Sequence, residues 1–311
     1  MSPDKKRNTG HSVFQRLLNH ARTCGEDFNF LLFRYGIERL LYRLSVSPHA
    51  ERFILKGASM FLVWKGQNYR VTKDADLLSS GPADAEHIIG IFRDLCQTTA
   101  EDSDGVEFKA DTITAVPIRE EQAFDSIRVT LVGILHQARI PLQIDIGFGD
   151  AVTPEPERIE FPTLLDNPPP RLLAYPRYTM VAEKFEAMVR LGMANSRMKD
   201  FYDLWLMSRL FEFNGLTLCD AIRNTFRSRS TPLPGGLPMA FTDEFRKDAQ
   251  KQTQWRAFVR KSKPVDVSVD FDAVIDKVAA FLMPVVEAAK GEKLFGKLWP
   301  PKGPWGQLII E

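Results

Sequence analysis

The sequence predicts an α+β (α/β) protein: a mixed sheet flanked by helices, followed by a mainly helical C-terminal domain. Three observations predict it. Between Phe53 and Phe148, short runs rich in β-branched residues alternate with helical periods. Beyond Asn167-Pro-Pro-Pro170 the apolar period is helical almost throughout. The composition, 44% hydrophobic and 26% charged over 311 residues, is enough for a sizeable core and excludes a disordered chain. Nineteen Gly and 20 Pro without a period exclude collagen-like and low-complexity classes.

In chain order, Ser12-Val-Phe-Gln15 reads as a capping box that opens a helix to about Thr23. A second helix, about Asp27 to Ser45, gathers Phe28, Leu31, Leu32, Tyr35, Leu40, Leu41 and Leu44 on one stripe, with Arg34, Arg39 and Arg43 placed elsewhere. Phe53-Ile-Leu55 is a short strand, Lys56-Gly57-Ala58-Ser59 a tight turn, and Met60 to Trp64 a short helix. Val71 to Leu78 continues as a strand, Ser79 to Pro82 breaks it, and a helix spans about Ala83 to Gln97. Strands follow at Val106 to Ile118, Ser126 to His136 and Ile140 to Phe148. Alternation in Gln143-Ile-Asp-Ile146 turns Asp145 away from the two isoleucines. Helices are then expected at Met180 to Leu191, Ser196 to Phe213, Leu216 to Arg229, Asp243 to Arg260 and Phe271 to Ala289. These elements divide the chain into N-terminal helices packing on the sheet (1–52), a catalytic sheet domain (53–170), a helical domain completing the active site (171–293) and an extended tail (294–311).

The formal charge of +1 hides a partition. Residues 57–170 carry 9 basic and 19 acidic side chains, a net −10, and the remainder carries 32 and 21, a net +11. Glu101, Asp102 and Asp104 are expected to be exposed contributors to the acidic share. Cys24, Cys96 and Cys219 are too far apart for a disulfide framework or a zinc cluster and are expected as buried thiols in a reducing compartment. The start of the chain is polar, and the longest membrane-like run, Val278 to Val286, has nine residues against the roughly 20 a span needs. A cytoplasmic protein with no membrane partner is the expectation.

The chemistry concentrates in a few places. Asp74 and Asp76, two apart on a strand, point the same way and can grip one hard cation. The turn before them, with Lys56, Gly57 and Ser59, allows close backbone approach to an anion at a helix start. A later carboxylate can complete the set: Asp145 is the better placed and Asp150 the competitor. On the C-terminal side, Asp200 and Asp203 share a helix face with Lys199, and Lys184 lies beside the Val181, Phe185 and Met188 stripe of the preceding helix. That group reads either as a structural ion-pair network or as functional machinery, with Lys184 and Lys199 able to meet phosphate charge. Arg190 and Arg197 divide between solvated face and phosphate ligand. None of the five histidines has a metal-ligand spacing, and the chain has neither a nucleophile elbow nor a P-loop.

The turn Gly57-Ala-Ser59, the pair Asp74-Ala-Asp76 and the later Asp145 resemble the nucleotidyltransferase superfamily with the polymerase β-like fold, whose turn carries glycine followed by Gly or Ser. Ala58 departs from that pattern. Four motifs in order, Leu55-Lys-Gly-Ala-Ser59, Arg70-Val-Thr-Lys-Asp-Ala-Asp76, Ala182-Glu-Lys184-Phe-Glu-Ala187 and Ser196-Arg-Met-Lys-Asp-Phe-Tyr-Asp-Leu204, resemble the AbiEii/AbiGii abortive-infection toxin family. The resemblance implies Mg²⁺, or Mn²⁺ in its place, at Asp74, Asp76 and Asp145, with an NTP as co-substrate. It implies phosphate binding at Lys56, Gly57, Ser59, Lys184 and Lys199, and catalytic roles for Asp74, Asp76, Asp145, Lys184, Asp200 and Asp203, with Asp145 either completing the metal site or drawing the proton from the acceptor hydroxyl. It further implies transfer of NMP to an acceptor hydroxyl, the 3′ end of tRNA, within a toxin–antitoxin or phage-defence system with a cognate antitoxin. Two alternatives stay open: nucleotidylation of a small molecule, as in antibiotic-modifying enzymes, and a non-catalytic nucleotide-binding or antitoxin-binding module.

Overall fold

The computed structural model describes residues 3–72, 74–98, 103–118, 125–265, 270–291 and 294–307, with side chains from residue 9 onward. Lys73, Glu101 and Asp102 lie outside the described residues. The chain divides into two units. The first comprises Met1–Asn68, Thr72–Gly149 and Glu157–Ala174, and the second Tyr69–Val71, Asp150–Pro156 and Tyr175–Glu311.

The first unit is built on a seven-stranded mixed sheet. Its strands are β1 (Phe53–Lys56), β2 (Ala75–Ser79), β3 (Val106–Pro117), β4 (Ser126–Leu135), β5 (Ala138–Phe148), β6 (Glu157–Glu160) and β7 (Arg171–Ala174), in the order β3-β4-β5-β2-β1-β7-β6. β2 runs parallel to β5 and antiparallel to β1, which runs parallel to β7. The helices are α1 (Pro3–Cys24), α2 (Phe28–Ser45), α3 (Met60–Lys65) and α4 (Ala85–Gln97). Strict alternation along β5 sends Ile140, Leu142, Ile144, Ile146 and Phe148 into the core, and leaves Gln143 and Asp145 on the opposite face. α2 covers the apolar face. Gly36 lets it close on β5, since a Cβ there would meet Leu142 Cδ2 at 3.0 Å and Ile140 Cγ2 at 3.1 Å.

Several expectations are corrected here. α1 begins at Pro3, so Ser12 lies inside the helix and the capping-box reading of Ser12-Val-Phe-Gln15 fails. Arg39 and Arg43, placed off the apolar stripe of α2 by the sequence, are nevertheless buried together with Glu38. Arg43 forks onto Asp104 at 2.8 and 3.1 Å, and also donates to the Val106 carbonyl oxygen at 3.0 Å. Asp104 is 2% exposed and is therefore an interior ion-pair partner rather than a surface acid. Glu38 accepts from the Leu164 amide at 2.7 Å, with Arg39 Nη2 2.9 Å from its other oxygen. Burial pushes the Glu38 carboxyl up to about 7, against the opposing pull of Arg39. Cys24, expected buried, is exposed.

The second unit is mainly helical: α5 (Arg177–Leu191), α6 (Met198–Leu210), α7 (Gly215–Ser228), α8 (Asp243–Lys247), α9 (Ala249–Ser262) and α10 (Phe271–Lys290). The helix expected over Asp243 to Arg260 is two, because Asp248 leaves helical geometry and caps α9 by accepting from the Lys251 amide at 2.9 Å. Residues 297–299 and 306–307, expected in an extended tail, form β9 (Lys297–Trp299) and β10 (Gly306–Gln307), which pair in a small antiparallel sheet with β8 (Phe213–Asn214). Trp299 is 1% exposed and donates through Nε1 to the Ser208 carbonyl oxygen at 2.7 Å. Among the described residues, no helix is long and apolar enough to cross a membrane.

Candidate active site

In the first unit three strands converge on the acidic constellation. β1 ends at Lys56, whose register partner on β2 is Asp76; Asp76 in turn is the register partner of Asp145 on β5. Asp74 sits one residue ahead of β2, so the expected strand of Val71 to Leu78 starts later, at Ala75. The two aspartates still converge. One carboxylate oxygen from each of Asp74, Asp76 and Asp145 lies within 4.8 Å of the others, and all three side chains are half-buried. Three hard oxygen donors gathered on one sheet face suit Mg²⁺ or Mn²⁺, which take a few carboxylates and leave positions for water and phosphate oxygens.

Neighbouring groups fix the carboxylates. Arg128 on β4, directly opposite Asp145, forms a fork onto it: Nε to Oδ1 and Nη2 to Oδ2, both 2.8 Å. Gln143 Nε2 lies 3.4 Å from the same Oδ1, and the Thr72 hydroxyl donates to Asp74 Oδ1. A bidentate guanidinium sets the plane of a carboxylate as well as its position.

Gly57 has a structural requirement. Its φ is +78°, and a Cβ there would lie 1.9 Å from Asp76 Oδ2. Only a glycine can turn the chain beside that carboxylate. Ser59 lies at the start of α3, where its hydroxyl donates to the Lys56 carbonyl oxygen at 3.2 Å.

The second unit holds the other group. Lys184 on α5 donates to Asp200 Oδ1 at 2.7 Å and lies 2.9 Å from Asp203 Oδ2, both aspartates on α6. Arg70 forks onto Asp203 at 2.8 and 2.9 Å, and Arg197 donates to Asp200 Oδ2 at 2.8 Å. Asp200 and Asp203 are 1% and 0% exposed. Burial opposes every charge in this cluster, yet mutual attraction outweighs it. Asp200 and Asp203 stand below the usual carboxylate range, held there by Lys184 with Arg197 and by Arg70 with Lys184 respectively; the two aspartates hold Lys184 above the usual lysine value. Lys199 is exposed on α6. Arg190 pairs with Glu186 at 3.0 Å.

Asp150, the competitor for the third carboxylate, is committed elsewhere in the second unit. Arg229 binds it at 2.6 Å and also holds Glu186 at 2.8 Å. Sequence reasoning missed Arg128 and Thr72. Thr72, two residues ahead of Asp74, was open to a local reading, whereas Arg128 becomes visible only once β4 is paired with β5 in register.

A family model described as nucleotidyl transferase AbiEii toxin, type IV TA system, matches residues 39–277. JHP933 from Helicobacter pylori, a solved structure, is similar at 12% identity and a TM-score of 0.48, covering 85% of this chain and 94% of its own. A candidate nucleotidyltransferase from H. pylori, also 12% identical, has a TM-score of 0.45 over 82% of this chain and 94% of its own. Among curated proteins there is no sequence match.

Proposed function

Since the chain belongs to the AbiEii nucleotidyl transferase toxin family of type IV toxin–antitoxin systems, we propose that it transfers a nucleoside monophosphate from an NTP to the 3′-terminal hydroxyl of tRNA, using Mg²⁺ held by Asp74, Asp76 and Asp145. The family implies an NTP substrate and a cognate antitoxin. The observation that carries the reading is the convergence of three carboxylate oxygens within 4.8 Å beside a glycine turn that only glycine can make.

Bound Mg²⁺ supplies charge neutralisation at the phosphates and polarises the phosphorus under attack. The chain supplies position. Asp74 and Asp76 bring their carboxylates together at the start of β2, and Arg128 holds the Asp145 carboxylate in a fork beside them. The backbone turn at Gly57, with Lys56 ahead of it and Ser59 after it, is assigned to the β/γ-phosphates. The acceptor hydroxyl gives up its proton to a carboxylate oxygen of the acidic set, its oxygen forms a bond to the α-phosphorus as the bond to the bridging oxygen breaks, and pyrophosphate departs. Catalysis of this kind rests on alignment and charge stabilisation rather than on a covalent enzyme intermediate.

The test is incubation with each labelled NTP, Mg²⁺ and total RNA, beside an Asp76→Ala control. Label in tRNA that depends on Asp76 supports the reading. Label in a small molecule but not in RNA replaces the acceptor, and label that survives Asp76→Ala removes the metal site.

A further inference from the structure

Helix α9 in the second unit differs in its charge from the helices around it. Helices α5, α7, α8 and α10 each pair a basic with an acidic residue along their own length: Arg190 with Glu186, Arg223 with Asp220, Lys247 with Asp243 and Lys290 with Glu287. From Ala249 to Pro264 there is no acidic residue at all, and five are basic. One of these faces inward. Lys251 is 4% exposed, donates to the Asn195 carbonyl oxygen at 3.0 Å and lies 5.2 Å from the centre of the Phe245 ring.

The inner face of α9 is fixed by packing, which fixes the outer one. Trp255 stacks on Phe271 with ring centres 4.9 Å apart, and Phe258 lies against Tyr202 at 5.8 Å. The exposed stripe is therefore Thr253, Arg256, Ala257, Arg260 and Lys261, spaced as one helical face, with Lys263 exposed at the C-cap. Arg256 touches the Thr253 hydroxyl at 3.2 Å; Arg260, Lys261 and Lys263 have no acidic partner among the described residues. The helix dipole favours cations in the last turn. It does not account for Arg256, a turn earlier, or for a buried lysine held by a carbonyl rather than a carboxylate. The C-terminal end of α9 is also anchored: Val71 donates its amide to the Ser262 carbonyl oxygen at 3.2 Å, and Val265 donates its amide to the Tyr69 carbonyl oxygen at 3.0 Å. Val71 is three residues ahead of Asp74 in the chain.

We propose that the exposed basic face of α9, formed by Arg256, Arg260, Lys261 and Lys263, is the surface that binds the phosphate backbone of the RNA acceptor. This rests on the reading of RNA as acceptor. Unpaired, exposed cations in a row along one rigid helix match a chain of regularly spaced anions and attract it without base sequence. Specific recognition of the acceptor end is left to other groups.

The experiment compares wild-type protein with Arg256→Gln/Arg260→Gln/Lys261→Gln, using fluorescence anisotropy with an unfractionated tRNA pool across a salt series. All three side chains are exposed, and unchanged circular dichroism and thermal midpoint confirm folding. The expected result is a loss of affinity of roughly tenfold or more at low salt, and a log–log salt slope shallower by about 2. Calorimetric Mn²⁺ binding stays unchanged. Arg256→Lys/Arg260→Lys, which keeps the charges, retains binding. Wild-type affinity and slope in the triple variant overturn the proposal. A wild-type protein that binds no RNA overturns the acceptor reading itself, and this proposal with it. Wild-type RNA binding that the triple variant keeps overturns the α9 surface alone.

Discussion

Gly57 shows how one missing side chain determines a site. A methyl group there would collide with Asp76 Oδ2 at 1.9 Å, in a backbone conformation that already disfavours side chains. Gly57→Ala is expected to cost about 1–3 kcal/mol and to weaken Mn²⁺ binding by displacing Asp76; chemical denaturation and calorimetry check the two effects separately. A variant with unchanged metal affinity would show that Asp76 can move without consequence. Lys184 poses a different problem. Its ammonium joins two buried aspartates that each keep an arginine, so Lys184→Ala leaves both carboxylates underpaired in the interior. A loss of about 3 kcal/mol in urea unfolding is expected, so reduced transfer in this variant must be read against the folded fraction. The pH dependence follows from the depressed carboxylates. Asp200 and Asp203 contribute stability above the ordinary carboxylate pKa, and that contribution fades as pH falls through their lower folded values.

At the scale of elements, α2 carries a second pH dependence of opposite sign. Glu38 has a folded value of about 7 against an ordinary value of 4.5, so its contribution is complete below the ordinary value and is lost as pH rises through 7. Unfolding midpoints at pH 5 and pH 8 should show a decline, at most about 3 kcal/mol by the size of the shift. Glu38→Gln, which keeps an oxygen for the Leu164 amide, should flatten it; an equal decline in that variant would assign the slope to another group. Elements like α2 also mark where the sequence stops being legible. Its apolar stripe predicts the helix, but nothing local reveals that Arg43 meets Asp104, because the partner is 61 residues away. The strands β6 and β7 escaped notice for a related reason: each is four residues long, and β6 is largely charged, so pairing rather than periodicity creates it. Asp76 and Asp145 were legible because strand alternation is a local rule, and Asp74, one residue ahead of β2, because it stands two residues from Asp76 in the chain. Arg128, which orients one of them, depends on a cross-strand register that no local pattern reports.

Across the whole molecule, the charge partition of −10 and +11 takes on a more specific meaning. Part of the acidic share is interior structure, as Asp104 shows, and part is the crowded oxygen set of Asp74, Asp76 and Asp145. The folded chain gathers these three oxygens into one place, and the unfolded chain disperses them. A divalent cation that binds only the folded arrangement therefore stabilises the fold by mass action. At a free concentration ten times its dissociation constant the gain is about 1.4 kcal/mol. Mg²⁺ or Mn²⁺ should raise the thermal midpoint in proportion to the logarithm of concentration, and chelation should reverse it. Asp76→Ala should remove this response. Na⁺ at matched ionic strength should not reproduce the cation effect, because screening acts on all exposed charges alike. A midpoint that rises equally in the wild-type and Asp76→Ala proteins would show that the cation acts on the acidic surface at large, leaving the three aspartates as neighbours without a shared ion.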